Sequence, residues 1–511
     1  MNCNSVEDRS NPARATRTGS RGQFLPSATN KNVSICLAIL LVLSSLLVAN
    51  YVAWLRLKPE VSAISWIAEK PDYENHLVNI HRLATVRANG GADSLLPIYD
   101  VQDPGFFLLV AELFARAGST TPLPLEILSI ALFNIGAICF FFWVYLLFSD
   151  PAVAASATAF LALSKFFLFF PGVTHTMPFE FVFFNATILL FVLFLRSNKN
   201  AYLIGALAAM FMTCMNYWFY YLSSWIIMIG LWWQYRGPPK IKEVALISTP
   251  PIAAVALTTV MIMSLFGGVW RGAMRLADVL VARTVDARLP GGSWFPDQKF
   301  MTTLDWVMYP ATVATRLEWS YSIQFFSFSI ASIFTLFFLS IHNRQALVSA
   351  LILLAGGLAW YCVMVQHTYI HRFAGEYCFM AVCPIFGLTV AETARSVRKV
   401  VMDFGRVSGA GLRKRLALVT VLGFRNAAAM LFIMVSVFSL GAYLTGTYGL
   451  VRETVILSGV AEQKYAEVIR TLCRQHSEIT LADLKSASKD WGLEWQPSII
   501  ADTNRLPKCA G

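Results

Sequence analysis

Charge is what this sequence has least of. Only 14% of its 511 residues are Asp, Glu, Lys or Arg, against roughly a quarter in ordinary soluble domains, and its 38 Phe outnumber its 30 acidic residues. A chain this poor in ionisable surface excludes a soluble enzyme. Histidine is scarce too, at seven residues, and the nine Cys contain no CxxC spacing, so no metal framework is visible. Neither is an internal repeat of the kind that inverted-repeat transporters can carry.

What the chain has instead is apolar length. Hydrophobic residues make up 56% and aromatics 14%, mean hydropathy is +0.57, and runs of near-spanning length recur along most of the sequence, which predicts an all-α polytopic membrane protein. The runs fall at about 33–55, 124–148, 152–171, 178–196, 200–214, 217–235, 243–267, 322–342, 346–366, 373–394 and 421–447, an expectation of eleven crossings. Residues 1–32, rich in Ser, Asn and Arg, read as a disordered cytoplasmic tail. The transmembrane domain then covers 33–447, with two large outer loops at 56–123 and 268–321, and a small segment at 448–511 closes the chain.

Lys and Arg fix the orientation. The net charge of +11 would suggest nucleic acid in a soluble protein, but here the bases collect in every second connection, as orientation signals do. Arg196 and Lys199, then Arg236, Lys240 and Lys242, then Arg344, and finally the group from Arg395 to Arg415 mark one side as cytoplasmic. The N-terminus lies with them, both long loops and the C-terminal segment lie outside, and nucleic acid is not an expected partner. Cys473 and Cys509 are then the only thiols in an outer tail, where a disulfide persists.

The first outer loop packs Asp72, Glu74, Asn75 and His76 into the stretch following Lys70-Pro71. If Pro71 opens a helix, Asp72 sits in the first turn, where the helix dipole favours the ionised form, and His76 follows one turn later on the same face. A carboxylate so held suits a general base. It equally suits a solvated helix start. Downstream, Tyr99-Asp100-Val101-Gln102-Asp103-Pro104-Gly105 leads into a short amphipathic stretch, Phe106–Phe114, too short to span and placed at the membrane surface.

This layout resembles the membrane C-type (GT-C) glycosyltransferases that use polyprenyl-phosphate sugars, among them the aminoarabinose, mannosyl and arabinosyl transferases. They too have an acid soon after helix one, a polar-Pro-aromatic turn, a short amphipathic helix and then a long span. The resemblance runs over roughly 33–240 and includes Ser164-Lys165, the acid-bearing turn His175-Thr176-Met177-Pro178-Phe179-Glu180, and Asn216-Tyr217-Trp218, with an echo at His371-Arg372-Phe373. The family's Asp-Glu pair stands here as Asp72-Tyr73-Glu74, and its His-Pro-Pro turn as Gln102-Asp103-Pro104-Gly105.

The resemblance implies an inverting transfer from a polyprenyl-phosphate donor to a hydroxyl of a cell-envelope glycan or glycolipid, at the outer face of a bacterial inner membrane. Such chemistry needs a base for the acceptor proton and compensation for the departing phosphate. Asp72 matches the family's acidic position best, with Glu74, Asp103 and Glu180 as further candidates. Glu180 follows Pro178 at the mouth of an apolar span, where an ionisable group is costly enough to point to a partner or a role. For the phosphate and the sugar the candidates are His76, Lys165, His175, Arg271, His371 and Arg372, with Arg372 first because a guanidinium fork binds phosphate oxygens in pairs. A divalent cation on Asp72, Glu74 or Asp103 is an alternative way to offset the phosphate. Trp270, Trp294, Trp306 and Trp319 of the second loop suit sugar faces, and equally suit the membrane interface. An O-antigen polymerase or ligase, acting through loop arginines on diphosphate-linked glycans, and a flippase, which would carry ionisable residues along a mid-membrane path, are the rival readings.

Overall fold

A computed structural model of the chain describes residues 28–57, 123–171, 177–216, 219–265, 303–370, 372–408 and 412–476, with a few isolated positions beyond them. The described residues are nearly all helical. In chain order they form α1 (Ala28–Arg56), α2 (Leu123–Phe148), α3 (Pro151–Ala162), α4 (Lys165–Phe169), α5 (Met177–Ser197), α6 (Asn200–Asn216), α7 (Phe219–Arg236) and α8 (Ile241–Leu265). After these come α9 (Thr303–Val307), α10 (Tyr309–Tyr321), α11 (Phe325–His342), α12 (Arg344–Val363), α13 (Val365–Ile370), a 3₁₀ turn (Arg372–Cys378), α14 (Phe379–Ser408) and α15 (Leu412–Gln475). Eight helical stretches among the described residues are long and apolar enough to cross a membrane, while α3 and α6 are apolar but shorter. The protein is a multi-pass membrane protein.

At its centre lies α3, whose sequence PAVAASATAFLA presents little but methyl groups. Asp150 starts it by accepting from the amide of Ala152 at 2.9 Å, with Pro151 supplying a pre-set first helical residue. Small side chains let a neighbour come close. On α14 a Cβ added at Gly387 would overlap the carbonyl oxygen of Val153, so the two backbones touch there, as small residues permit in membrane bundles. Helix α3 also packs against α1 and α2, while α5 lies between α2 and α6. Polar pairs fix the register: Asn185 accepts from the buried indole of Trp143 at 2.9 Å, and the half-buried Asn50 and Asn134 exchange amide bonds at 3.1 and 2.8 Å.

The run at 152–171 is one span in the sequence but two helices in the fold. Helix α3 stops at Leu163, and Ser164 starts α4 by accepting from the Phe167 amide at 3.2 Å while donating to Leu161 at 2.6 Å. The end of the segment that the sequence reads as a second outer loop is helical as well. It forms α9 and α10, because Val313, Leu317 and Tyr321 repeat at four-residue spacing and turn one face to the core.

One end of the bundle is basic. Arg196 donates to the Leu146 carbonyl and to Ser149, Arg236 to Asn198 at 2.8 Å, and Arg395 pairs with both Glu392 and Asp150. Three of the connections that the sequence assigns to one side, those of Arg196, Arg236 and Arg395, therefore meet in space around the turn at Ser149 and Asp150.

Candidate functional site

The opposite end of the bundle collects the acids and hydroxyls. Glu180 stands in the first turn of α5, facing that helix's positive dipole end, and Glu376 lies in the 3₁₀ turn before α14; each is 1% exposed. Both carboxylates act electrostatically on the hydroxyl of Tyr220, at the start of α7. Three chain segments far apart in sequence thus bring two buried acids to one phenol.

Phe379, the first residue of α14, ties them together. Its ring centroid lies 5.2 Å from Phe181, 5.5 Å from Phe184, 6.5 Å from Phe166 and 6.5 Å from Tyr220. Phe181 adjoins Glu180 and Phe166 adjoins Lys165, so the hub sets the spacing between the acid of α5, the cation of α4 and the turn that precedes α14. Aromatic pairs in these offset and edge geometries add about 0.5–1.5 kcal/mol each beyond burial.

Lys165 projects its ammonium over the ring of Trp319, 4.1 Å from the centroid, a cation–π contact that leaves the charge in place. Trp319 belongs to α10, and α10 grips the segment that carries Arg372. Arg316 donates its Nε to the Thr368 carbonyl at 3.2 Å and its Nη2 to that of Tyr369 at 2.6 Å. Tyr321 donates to the Glu376 carbonyl at 3.1 Å, and the Tyr361 hydroxyl lies 3.0 and 3.2 Å from the carbonyls of Ala374 and Gly375. A Cβ at Gly375 would overlap the Arg316 carbonyl oxygen, so only glycine allows this approach. Every one of these bonds goes to a main-chain carbonyl, so the backbone at Thr368 and Tyr369 and again from Ala374 to Glu376 is held whatever its side chains do.

Of the residues the sequence singles out, Glu180 and Lys165 fall in this cluster, and Arg372 opens the 3₁₀ turn that the clamp holds. Asp72, Glu74, His76, Asp103, His175, Arg271 and His371 lie outside the described residues. Among the described residues no group of three or more His, Cys, Asp or Glu is placed to hold a metal ion, and the three acids considered for a divalent cation are outside them. Sequence reasoning missed Arg316, which carried no motif, and did not single out Glu376. The signal for Glu376 is a Glu between Gly and Tyr at the head of an apolar span.

The buried acids sort by level. Glu126 begins α2, Glu180 begins α5, Glu376 precedes α14, and Glu392 pairs with Arg395 beside Asp150 at the basic end. Among the described residues the buried carboxylates thus sit near the two ends of the bundle. This distribution suits a site at one face better than a path through the middle.

No protein-family profile matches the chain, and no curated protein does. Among solved structures it is similar to the Archaeoglobus fulgidus oligosaccharyltransferase in the apo form, at 13% identity and a TM-score of 0.42, over 80% of this chain and 55% of that one. It is similar at 13% identity and 0.42 to the archaeal oligosaccharyltransferase AglB from the same organism in complex with an inhibitory peptide and a dolichol-phosphate, over 80% and 56%. A third similar structure is the A. fulgidus enzyme tethered to an acceptor peptide containing the NVT sequon, at 13% and 0.41, over 80% and 55%. The chain spans just over half the length of these proteins.

Proposed function

We propose that this protein is an inverting glycosyltransferase that moves a sugar from a polyprenyl-phosphate donor to a hydroxyl of an envelope glycan or glycolipid at the outer face of the membrane. The observation that carries the reading is the convergence, at the end of the bundle opposite the basic connections, of Glu180, Glu376 and Lys165 with the clamped segment that begins at Arg372. The layout of the first outer loop in sequence supports it. In this reading Asp72 takes the proton of the acceptor hydroxyl, whose oxygen attacks the anomeric carbon from the face opposite the phosphate. The bond from that carbon to the phosphate oxygen breaks, the oxygen leaves with the electron pair as polyprenyl phosphate, and Arg372 offsets its charge. Glu180 and Glu376 set the field around the reacting groups, Lys165 adds a second cation, and the main-chain clamp holds Arg372 at a fixed height.

The test is transfer from a polyprenyl-phosphate sugar by purified protein carrying Asp72→Asn. Loss of a general base costs roughly 10²- to 10⁴-fold in rate, while folding and donor binding stay intact. Transfer within about threefold of wild type would remove Asp72 from the mechanism and move the base to Glu74, Asp103 or Glu180.

A further inference from the structure

Helix α9 is built the wrong way round for water. From Leu304 to Met308 four of the five side chains are apolar and point outward, their exposure running from 48% at Trp306 to 70% at Val307. The one polar member, Asp305, is half-buried and faces the protein, where the Tyr369 hydroxyl donates to its carboxylate. A turn that met water would be arranged the other way, because a clustered apolar surface is costly there and a carboxylate is best left solvated. The depth of this patch is fixed by its neighbour. Tyr309 donates to the Tyr361 carbonyl at 2.8 Å, and Tyr361 lies two residues, or about 3 Å along the axis, inside the end of the apolar span Arg344–Val363. The exposed Cys362 stands beside the same hydroxyl. Tyr309 is thus pinned where that span leaves the hydrocarbon, and the patch ends one residue before it.

We infer that α9 is a membrane-interface anchor: its apolar face seats among the upper acyl chains of the bilayer beside the site, and the lipid surface thereby sets the position of α10. The occupant is lipid because of size as well as depth. Four side chains fall far short of the roughly 20–30 residues a side that a specific protein partner covers, whereas an interfacial helix needs only such a face, sunk about 5–10 Å into the boundary. Trp306 and Tyr309, their rings 6.5 Å apart, are the amphipathic aromatics that favour this level. The link to the site runs through Met308. Its amide donates to the Leu304 carbonyl at 2.9 Å and its carbonyl accepts from the Thr312 amide at 3.0 Å, so α9 and α10 form one piece. Arg316, one turn further along α10, holds the Thr368 and Tyr369 carbonyls. The grip on that backbone is therefore braced against the bilayer, whatever reaction the site performs.

Photocrosslinking of the full-length protein in vesicles of phosphatidylethanolamine and phosphatidylglycerol tests the anchor. p-Benzoylphenylalanine is placed at Leu304, or at Val307 should the first variant fold poorly, with the exposed Phe337 of the span Phe325–His342 as the lipid-facing control. Mass spectrometry should find phospholipid attached at 304 or 307 in a yield within about threefold of the control, through carbons nearer the ester than those reached from Phe337. A lower lipid yield, or attachment chiefly to polypeptide, whether this chain or a second copy, overturns the inference. The brace has its own measurement. The double change Leu304→Ser and Val307→Ser weakens the anchor without touching α10, and should speed amide hydrogen exchange across α10 in vesicles by at least about threefold. Exchange as slow as in wild type would overturn the link between the lipid surface and the grip of Arg316.

Discussion

Arg316 shows how much one side chain can settle. Its fork spans two consecutive carbonyls, those of Thr368 and Tyr369, and charge-assisted bonds of this kind are each worth about 1.5–3 kcal/mol when their partner would otherwise be left over. Arg316→Ala should therefore destabilise the protein by about 2 kcal/mol and lower transfer, whereas Arg316→Lys, which cannot present two parallel donors, should recover little of either. Denaturant unfolding in micelles and donor-saturation kinetics check the two parts. A rise in the Michaelis constant together with a fall in turnover supports a positioning role, and a stability loss with unaltered kinetics refutes it. Glu180 gives the complementary case. Glu180→Gln keeps the shape and removes the charge beside Tyr220, so transfer should fall by at least about tenfold at constant fold.

Asp483 carries the pH prediction at this scale. The Thr480 hydroxyl at 2.6 Å, then the Thr480 amide at 2.8 Å, and more weakly His476 hold its carboxyl below the usual range. A lowered folded value means the cap contributes fully above the ordinary carboxylate pKa of about 4 and is lost as pH falls through the folded value. Hydrogen exchange at Thr480 should accelerate in that acidic window in wild type, and should already be fast at neutral pH in Asp483→Ala.

At the scale of elements, the interruption between α3 and α4 is the feature that places Lys165. Without it the run at 152–171 would continue as one helix and carry Lys165 around the axis away from Trp319. Ser164→Ala removes the cap that restarts the chain, and should cost about 1 kcal/mol; an unchanged unfolding midpoint would mean that packing alone sets the break. Gly375→Ala is the harsher change, because two backbones must part, and should cost at least about 2 kcal/mol and loosen the clamp.

The same elements show what could be read from sequence. Apolar runs and alternating bases were legible because the hydrocarbon core and orientation act on each segment separately, and Arg196, Arg236 and Arg395 do gather at one end. The break at Leu163–Ser164 was hidden, since neither residue interrupts hydropathy. Helix α10 was present in the Val313, Leu317, Tyr321 spacing but lay within a segment read as loop. The placement of Glu180 and Glu376 around Tyr220 was illegible in principle, for it depends on the order in which helices pack and not on any one of them. Arg316 escaped for the same reason: its partners are carbonyls, which leave no mark in a sequence.

For the whole molecule, orientation is the first consequence to test. Reporter fusions after Gly291 and Lys485 should both report the outer face, and one at Lys240 the cytoplasm; an inner signal at either of the first two would invert the proposed placement of the site. Cys473 and Cys509 are bridged, 36 positions apart, and a loop of that size corresponds to roughly 3–4 kcal/mol of closure entropy. Cys473→Ser should leave the membrane bundle intact while exposing the tail to limited proteolysis at much lower protease concentrations.

The length of α15 sets a distance. Its apolar span ends at Arg452, yet the helix runs on to Gln475, a further 35 Å or so at 1.5 Å per residue, which exceeds the thickness of the hydrocarbon core itself. Such an extension is a mast, and the Cys473–Cys509 bridge is a stay tied near its top. Whatever the segment beyond Gln475 touches is met at a height fixed by helix geometry rather than by the reach of a flexible chain. Deleting seven residues between Arg452 and Gln475, two turns that keep the helix face nearly in phase, would lower the masthead by about 10 Å without disturbing the bundle beneath it.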